Sequence, residues 1–113
     1  MRLTLPYPPS VNHYWCASGK RRYISHAGRK FRRDSFYLIK AARCPRFEGD
    51  VWVSIELYPP DKRRRDVDNV LKPILDCLQY GGVITDDFQV SDLRIRRMSV
   101  LKCGQAVVEV KLA

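Results

Sequence analysis

Residues 61–87 read DKRRRDVDNVLKPILDCLQYGGVITDD. Four consecutive cations, Lys62, Arg63, Arg64 and Arg65, run directly into Asp66-Val67-Asp68-Asn69. From Asp68 to Tyr80 the apolar residues Val70, Leu71, Ile74, Leu75 and Leu78 recur at helical spacing. Asp68 reads as the N-cap of this helix and Gly81-Gly82 as its stop. Pro73 then falls in the second turn, where it removes a backbone bond, so a loosened start is expected.

Strands bracket the helix. Upstream, Val51, Val53, Ile55 and Leu57 alternate with Trp52, Ser54, Glu56 and Tyr58, giving one strongly apolar face that ends at Pro59-Pro60. Downstream, Val90–Leu101 and Gln105–Leu112 read as strands joined at Lys102-Cys103-Gly104, with Ala106, Val108, Val110 and Leu112 sharing a face. Arg2 to Leu5 is a short first strand, and Tyr7 to Tyr23 reads as a long loop, a feature often tied to function. Ser25 is placed to cap a helix from His26 to about Arg43, with Phe31, Ser35, Leu38 and Ala42 as its core stripe. The expected order is β-α-β-α-β-β: a single α+β domain over residues 1–113, a mixed β-sheet packed with two helices.

The chain carries 21 Lys+Arg against 12 Asp+Glu, a net charge of +9. Such an excess concentrates polyanions at the surface, nucleic acid first among them. No stretch reaches the roughly 20 apolar residues of a membrane span, so no membrane partner is expected, and Met1-Arg2 leads into a strand rather than a signal peptide. Cys16, Cys44, Cys77 and Cys103 are widely spaced and form no Cys-x-x-Cys pair; with His13 and His26 they complete no zinc pattern. Reduced cysteines and a cytoplasmic location are the expectation.

Acids crowded together in so basic a chain need a reason. Asp66 and Asp68 point the same way if their segment is extended. Lys72 lies one helical turn beyond Asp68, and Asp76 one turn further. Asp86-Asp87 follows the Gly-Gly turn and can fold back towards the helix start. Two carboxylates ~4 Å apart repel by about 1 kcal/mol in water and about 4 kcal/mol at an effective dielectric of 20. A cation among them relieves this, and Mg2+ suits carboxylate oxygens while keeping positions open for water and phosphate. An ion so held activates water and stabilises charge on a phosphodiester, and Lys72 is placed to neutralise the same charge. An EF-hand is excluded: counting from Asp66, position six is Leu71 instead of Gly and position twelve is Cys77 instead of Glu. An Asp at a helix start is also an ordinary cap, and a basic run can be a solvated face.

Three blocks resemble the RusA family of Holliday junction resolvases. Leu5-Pro6-Tyr7-Pro8-Pro9-Ser10-Val11-Asn12 is similar to its proline-rich opening. Arg64-Arg65-Asp66-Val67-Asp68-Asn69, followed by Lys72 and Asp76-x-Leu78, is similar to its central signature, and Gly82 to Val90 to its third block. The resemblance implies a dimeric, Mg2+-dependent endonuclease (Mn2+ substituting) that nicks four-way DNA junctions symmetrically, in a bacterial or phage-infected cell and associated with the nucleoid through DNA. It implies metal-binding acids at Asp66, Asp68 and Asp87, an active-site lysine at Lys72, and supporting roles for Asn69, Asp86 and Asn12. DNA backbone is expected on Lys62, Arg63, Arg64 and Arg65, and on Arg94, Arg96, Arg97, Lys20 and Arg21. Two other readings are open at this stage: a non-catalytic basic nucleic-acid-binding protein, and a metal-dependent nuclease of other structural specificity.

Overall fold

The computed structural model describes residues 1–18 and 21–113. In chain order its elements are β1 (Arg2–Leu5), α1 (Val11–Tyr14), β2 (Trp15–Ser18), β3 (Arg21–Ile24), α2 (His26–Ala41), β4 (Val51–Tyr58), a 3-10 turn (Val67–Val70), α3 (Leu71–Tyr80), a second 3-10 turn (Asp87–Gln89), β5 (Val90–Arg97) and β6 (Gln105–Leu112). The strands β1-β6-β4-β5 form one mixed sheet in that order. β4 is antiparallel to β6 and parallel to β5, and β6 is antiparallel to β1. A parallel pair needs a crossover, and the segment carrying α3 supplies it. The fold is α+β, as the patterning predicts.

The alternation in β4 works as read. Val51, Val53, Ile55 and Leu57 are buried, and Ala106, Val108 and Val110 of β6 join them. Phe31 and Ile39 of α2 and Ile74 and Leu78 of α3 close the core from the helical side. Ser25 caps α2, its Oγ accepting the Gly28 N–H at 2.9 Å. Gly82, at φ +84°, ends α3. There the Val83 N–H donates to the Leu78 carbonyl at 2.9 Å and the Gly82 N–H to that of Gln79 at 3.1 Å, closing a Schellman turn.

Several expectations are corrected. Tyr7 to Tyr23 is not one loop. It holds α1 and the β2–β3 hairpin, because Tyr14 is pulled fully into the core while aromatic and β-branched residues around it favour pairing. The element order therefore contains three helices and an extra hairpin. The buried stripe of α2 is Gly28, Phe31, Ser35 and Ile39. Leu38 is 40 % exposed, and Ala42 is the exposed C-cap rather than a core residue. Asp68 does not cap α3: it lies inside the 3-10 turn, and the helix begins at Leu71. Pro73 is thus the third residue of α3, in the first turn, where an N–H would have no intrahelical partner and its loss costs no helical bond. β5 stops at Arg97, where the chain leaves the ladder, and the Met98 N–H donates to the Leu57 carbonyl at 2.7 Å. Leu112 stands opposite Val51 at the end of the ladder and is exposed.

Cys77 is buried, its Sγ donating to the Ile74 carbonyl at 3.1 Å. Burial pushes its thiol up to about 12, from 9.0. The folded state thus holds the proton that the unfolded chain releases above about pH 9. Stability from this residue is complete below that pH and falls as pH rises towards 12, by up to about 1.4 kcal/mol per pH unit. Urea unfolding followed from pH 8 to 11 should show this decline, and Cys77→Ala should show a shallower one. Equal slopes in the two proteins would mean that Cys77 ionises freely in the native state.

Candidate active site

Lys72 is the second residue of α3, and Asp87 opens the 3-10 turn before β5. The return through Gly81-Gly82 brings them together: Lys72 Nζ donates to Asp87 Oδ2. The other carboxylate oxygen, Asp87 Oδ1, is buried and has no hydrogen-bond partner among the described residues. A buried acceptor without a donor is uncommon and calls for an ion, a water or a moving side chain.

Asp87 is held firmly from both sides. Asp86 caps the turn, its Oδ1 accepting the Phe88 N–H at 2.9 Å. Gln89 Oε1 accepts the Thr85 and Asp86 N–H groups at 2.6 and 3.1 Å, while Gln89 Nε2 donates to the Phe47 and Gly49 carbonyls at 2.9 and 2.8 Å. Asp86 thus shapes the backbone at Asp87. Phe88 projects from the same turn, 90 % exposed.

Asp66 and Asp68 stand on the surface at the other approach to α3. Asp66 is extended, at φ −86° and ψ 136°, while Asp68 is already in the 3-10 turn. Both line one open hollow with Arg65, Val67, Arg96 and Arg97. Asp66 also borders a second hollow, where Asn69 meets Arg63, Arg64, Arg65 and the proline-rich segment from Tyr7 to Ser10. No three His, Cys, Asp or Glu side chains among the described residues already form a set that could hold an ion.

The cations divide by what they touch. Arg65 is tied inward: it bridges Asp61 at 2.8 Å, donates to the Asp61 and Arg63 carbonyls, and lies over the Tyr7 ring. Arg63 bridges the same carboxylate at 3.2 Å. The Arg65 side chain, then the Arg63 backbone N–H, hold the Asp61 carboxyl well below the usual carboxylate range. Lys62 and Arg64 are exposed, with no carboxylate partner among the described residues. Arg96 bridges Glu56 at 2.8 Å. Arg94 pairs in register with Ser54 on the outer sheet face, in a groove with Arg2 and Glu56; it does not line the hollow of the acids, though Arg96 borders both. Asn12 is exposed on α1 and borders neither hollow. Lys20 and the side chain of Arg21 lie outside the described residues.

The sequence matches a known family. The model of the family described as "Endodeoxyribonuclease RusA" matches residues 6–112. The chain belongs to the RusA family. A crossover junction endodeoxyribonuclease of Enterobacteria phage HK97 is 40% identical over 97 residues, covering 85% of this chain and 81% of the relative. Relatives of the same description in Escherichia coli K12 and Shigella sonnei are 38% and 39% identical over 104 residues, 91% of this chain and 87% of theirs. Apart from Leu5, the RusA blocks read from the sequence lie inside the matched span.

The partners of Asp76 were not read from the sequence. Asp76 Oδ2 accepts from the Tyr14 hydroxyl and from Arg32 Nη2 and Nε at 3.0 and 3.3 Å. This triad joins α1, α2 and α3 and sits one turn beyond Lys72. Burial, then the bond to Asp76, hold the Tyr14 hydroxyl well above the ordinary phenol range. The i, i+4 spacing of Lys72 and Asp76 was visible, but the partners are 62 and 44 residues away. Asp76→Ala should cost about 2 kcal/mol by stranding two donors, roughly 8 °C in Tm for a domain this size. Tyr14→Phe should cost about half as much. Calorimetry on both variants checks the order; a harmless Asp76→Ala would show that the triad does not hold the helices.

Proposed function

We propose that the chain is a metal-dependent endodeoxyribonuclease that resolves four-way DNA junctions by paired symmetric nicks. The observation that carries this is the orphaned Asp87 Oδ1 beside the Lys72–Asp87 contact. A carboxylate oxygen without a donor fits a hard divalent cation, and Mg2+, with Mn2+ as substitute, suits all-oxygen donor sets. Asp66, Asp68 and Asp87 are the residues that would hold it. When bound, the ion activates water and stabilises charge on the phosphate.

The other roles belong to the chain. Lys72 neutralises Asp87 in the free protein and turns to the scissile phosphate when that charge is otherwise met. Lys62 and Arg64, with Arg97 and with Arg96, which is tied to Glu56 in the free protein, hold backbone on either side of the acids. Such contacts position DNA without reading its sequence. The relatives are described as crossover junction enzymes, which supports the branched substrate.

Asp66→Asn, Asp68→Asn and Asp87→Asn should each abolish nicking of a synthetic four-way junction in Mg2+ while leaving binding intact or tighter, since each removes a negative charge. Lys72→Ala should slow cleavage far more than it weakens binding. Denaturing gels and anisotropy on the same samples give both numbers. Full activity in any one Asp variant removes that residue from the site, and equal cutting of matched linear duplex sinks the junction reading.

Symmetric cuts in two strands need two sites, and one chain supplies one. A two-fold homodimer meets this need and is the commonest oligomer. Leu93 on edge strand β5, with Val100 and Leu101 just beyond it, is 38–45 % exposed in the single chain and lies outside the charged 61–87 stretch. Light scattering should give twice 13.2 kDa, and a charge at Leu93 should lower that mass. A species of single-chain mass on a cleaved junction would replace this scheme with independent monomers.

A further inference from the structure

One aromatic hollow lies apart from the acids. It lies between the outer face of α2 and the C-terminal end of α3, with a volume of about 640 Å³. Arg29, Lys30, Arg33, Phe36, Tyr37 and Tyr80 form its walls. Tyr37 and Tyr80 are 65 % and 54 % exposed, an unusual outlay of aromatic surface in so basic a region. Tyr80 is held in place: the Arg32 guanidinium lies over its ring at 4.5 Å and Phe36 meets it edge-on at 5.6 Å. Arg32 is committed to Asp76. Lys30 and Arg33 share one exposed carboxylate, Asp34, at 3.1 and 3.5 Å, and pairs of that kind are weak. Arg29 has no carboxylate partner among the described residues.

The place of this hollow gives it a meaning. Lys72, Asp76 and Tyr80 follow one another at four-residue steps, so they share a face of α3. At 1.5 Å per residue Tyr80 lies roughly 12 Å beyond Lys72 along the axis. That is about three to four nucleotides of stacked strand at ~3.4 Å each, and fewer in a stretched strand. A strand with its phosphate at Lys72 can therefore run along α3 into the hollow. A paired, stacked arm would offer only phosphates there, for which aromatic rings have little use. Rings interleaved with arginines suit an unstacked base and its phosphate, in the manner of single-strand binding grooves.

We propose that this hollow is a subsite for one unstacked nucleotide of the strand being cut. Its base stacks on Tyr80 and Tyr37, and its phosphate lies against Arg29 and Arg33. The subsite rests on the reading of the chain as a DNA endonuclease. It gives that enzyme a physical preference for DNA opened near the cut, since only such DNA can fill both the hollow and the acid site.

The test uses a fluorescently labelled thymidine hexanucleotide in EDTA, followed by anisotropy, so that no chemistry enters. Tyr80→Ala should weaken its binding by roughly 10-fold, the scale of one lost stack, and Tyr80→Phe should bind like the parent. Arg29→Ala with Arg33→Ala should weaken binding and flatten its salt dependence by up to about 1.4 units, two phosphate contacts at the single-strand rate. Unchanged affinity in Tyr80→Ala and in the double variant overturns the subsite. So does a Tyr80→Ala variant whose only change is a lower mass by light scattering, which would make the hollow a contact between copies. Junction cleavage by the parent protein is measured beside it. Cleavage with hexanucleotide affinity unmoved in the variants removes the subsite alone, whereas hexanucleotide binding that depends on Tyr80, with no DNA cut under any metal, removes the nuclease reading and leaves a single-strand binding site.

Discussion

Asp76 holds the helical layer together. It accepts from Tyr14 at the end of α1 and from Arg32 in the middle of α2, and it is itself part of α3. Three helices are thereby fixed in rotation over one face of the sheet, by side chains whose donors water would otherwise claim. Tyr14 is fully buried, so its hydroxyl must find an acceptor or cost the fold. A carboxylate facing a guanidinium and a phenol satisfies all three groups at once. Ionic groups of this kind add little net stability over apolar packing, but they allow one arrangement only. That arrangement decides which side of α3 reaches solvent, and with it the direction of Lys72.

A second set of constraints places the other half of the site. The Schellman turn at Gly82 reverses the chain without a wide loop. Gln89 then binds the returning segment on both sides, accepting from Thr85 and Asp86 and donating to Phe47 and Gly49. Asp87 is left with a fixed backbone and a carboxylate whose one oxygen meets Lys72 and whose other has no hydrogen-bond partner among the described residues. Backbone rigidity next to an unsatisfied side chain is the usual form of a prepared site. Asp66 and Asp68 differ: they sit where an extended linker becomes a 3-10 turn, on the exposed side. The backbone at Asp87 is thus tied on both sides, whereas Asp66 and Asp68 stand on an exposed stretch.

Most of the sheet was legible because its signal is local. Period-two alternation in residues 51–58 and 105–112 requires one buried face whatever the topology, and the order of elements around it follows the chain. Of the residues expected at the site, Lys72 does meet Asp87 across the Gly-Gly turn, and Asp66 and Asp68 do share one hollow, as their spacing suggested. The misreadings have a common cause. Leu38 and Ala42 fit a helical stripe as well as Ile39 does. What chose Ile39 was Gly81, whose missing side chain lets α3 press against that residue: a Cβ there would sit 2.5 Å from Ile39 Cδ1. Asp68 satisfied every local rule for an N-cap, yet the 3-10 turn before Leu71 took its place. The Tyr14–Arg32–Asp76 triad left no local trace, since nothing in a sequence pairs a tyrosine with an aspartate 62 residues on.

The distribution of acids gives the charge of the chain its sense. Of 12 Asp and Glu in a protein of net charge +9, Asp34, Asp61, Asp76, Asp87, Glu48, Glu56 and Glu109 each bridge a cation. Asp66 and Asp68 share their hollow with Arg65, Arg96 and Arg97, yet they bridge none of them among the described residues. Arg65 is turned back onto Asp61 and Arg96 onto Glu56, so both acids are kept unneutralised although cations stand close by. If those arginines paired with Asp66 and Asp68, the hollow would be electrically quiet and would favour neither a metal ion nor a phosphate. With the arginines drawn aside, the hollow keeps separate negative and positive walls. A polyanion approaching it meets attraction from the basic wall and repulsion from the acids. That repulsion would be relieved by a divalent cation entering with it, in which case cation and phosphate would each favour the binding of the other.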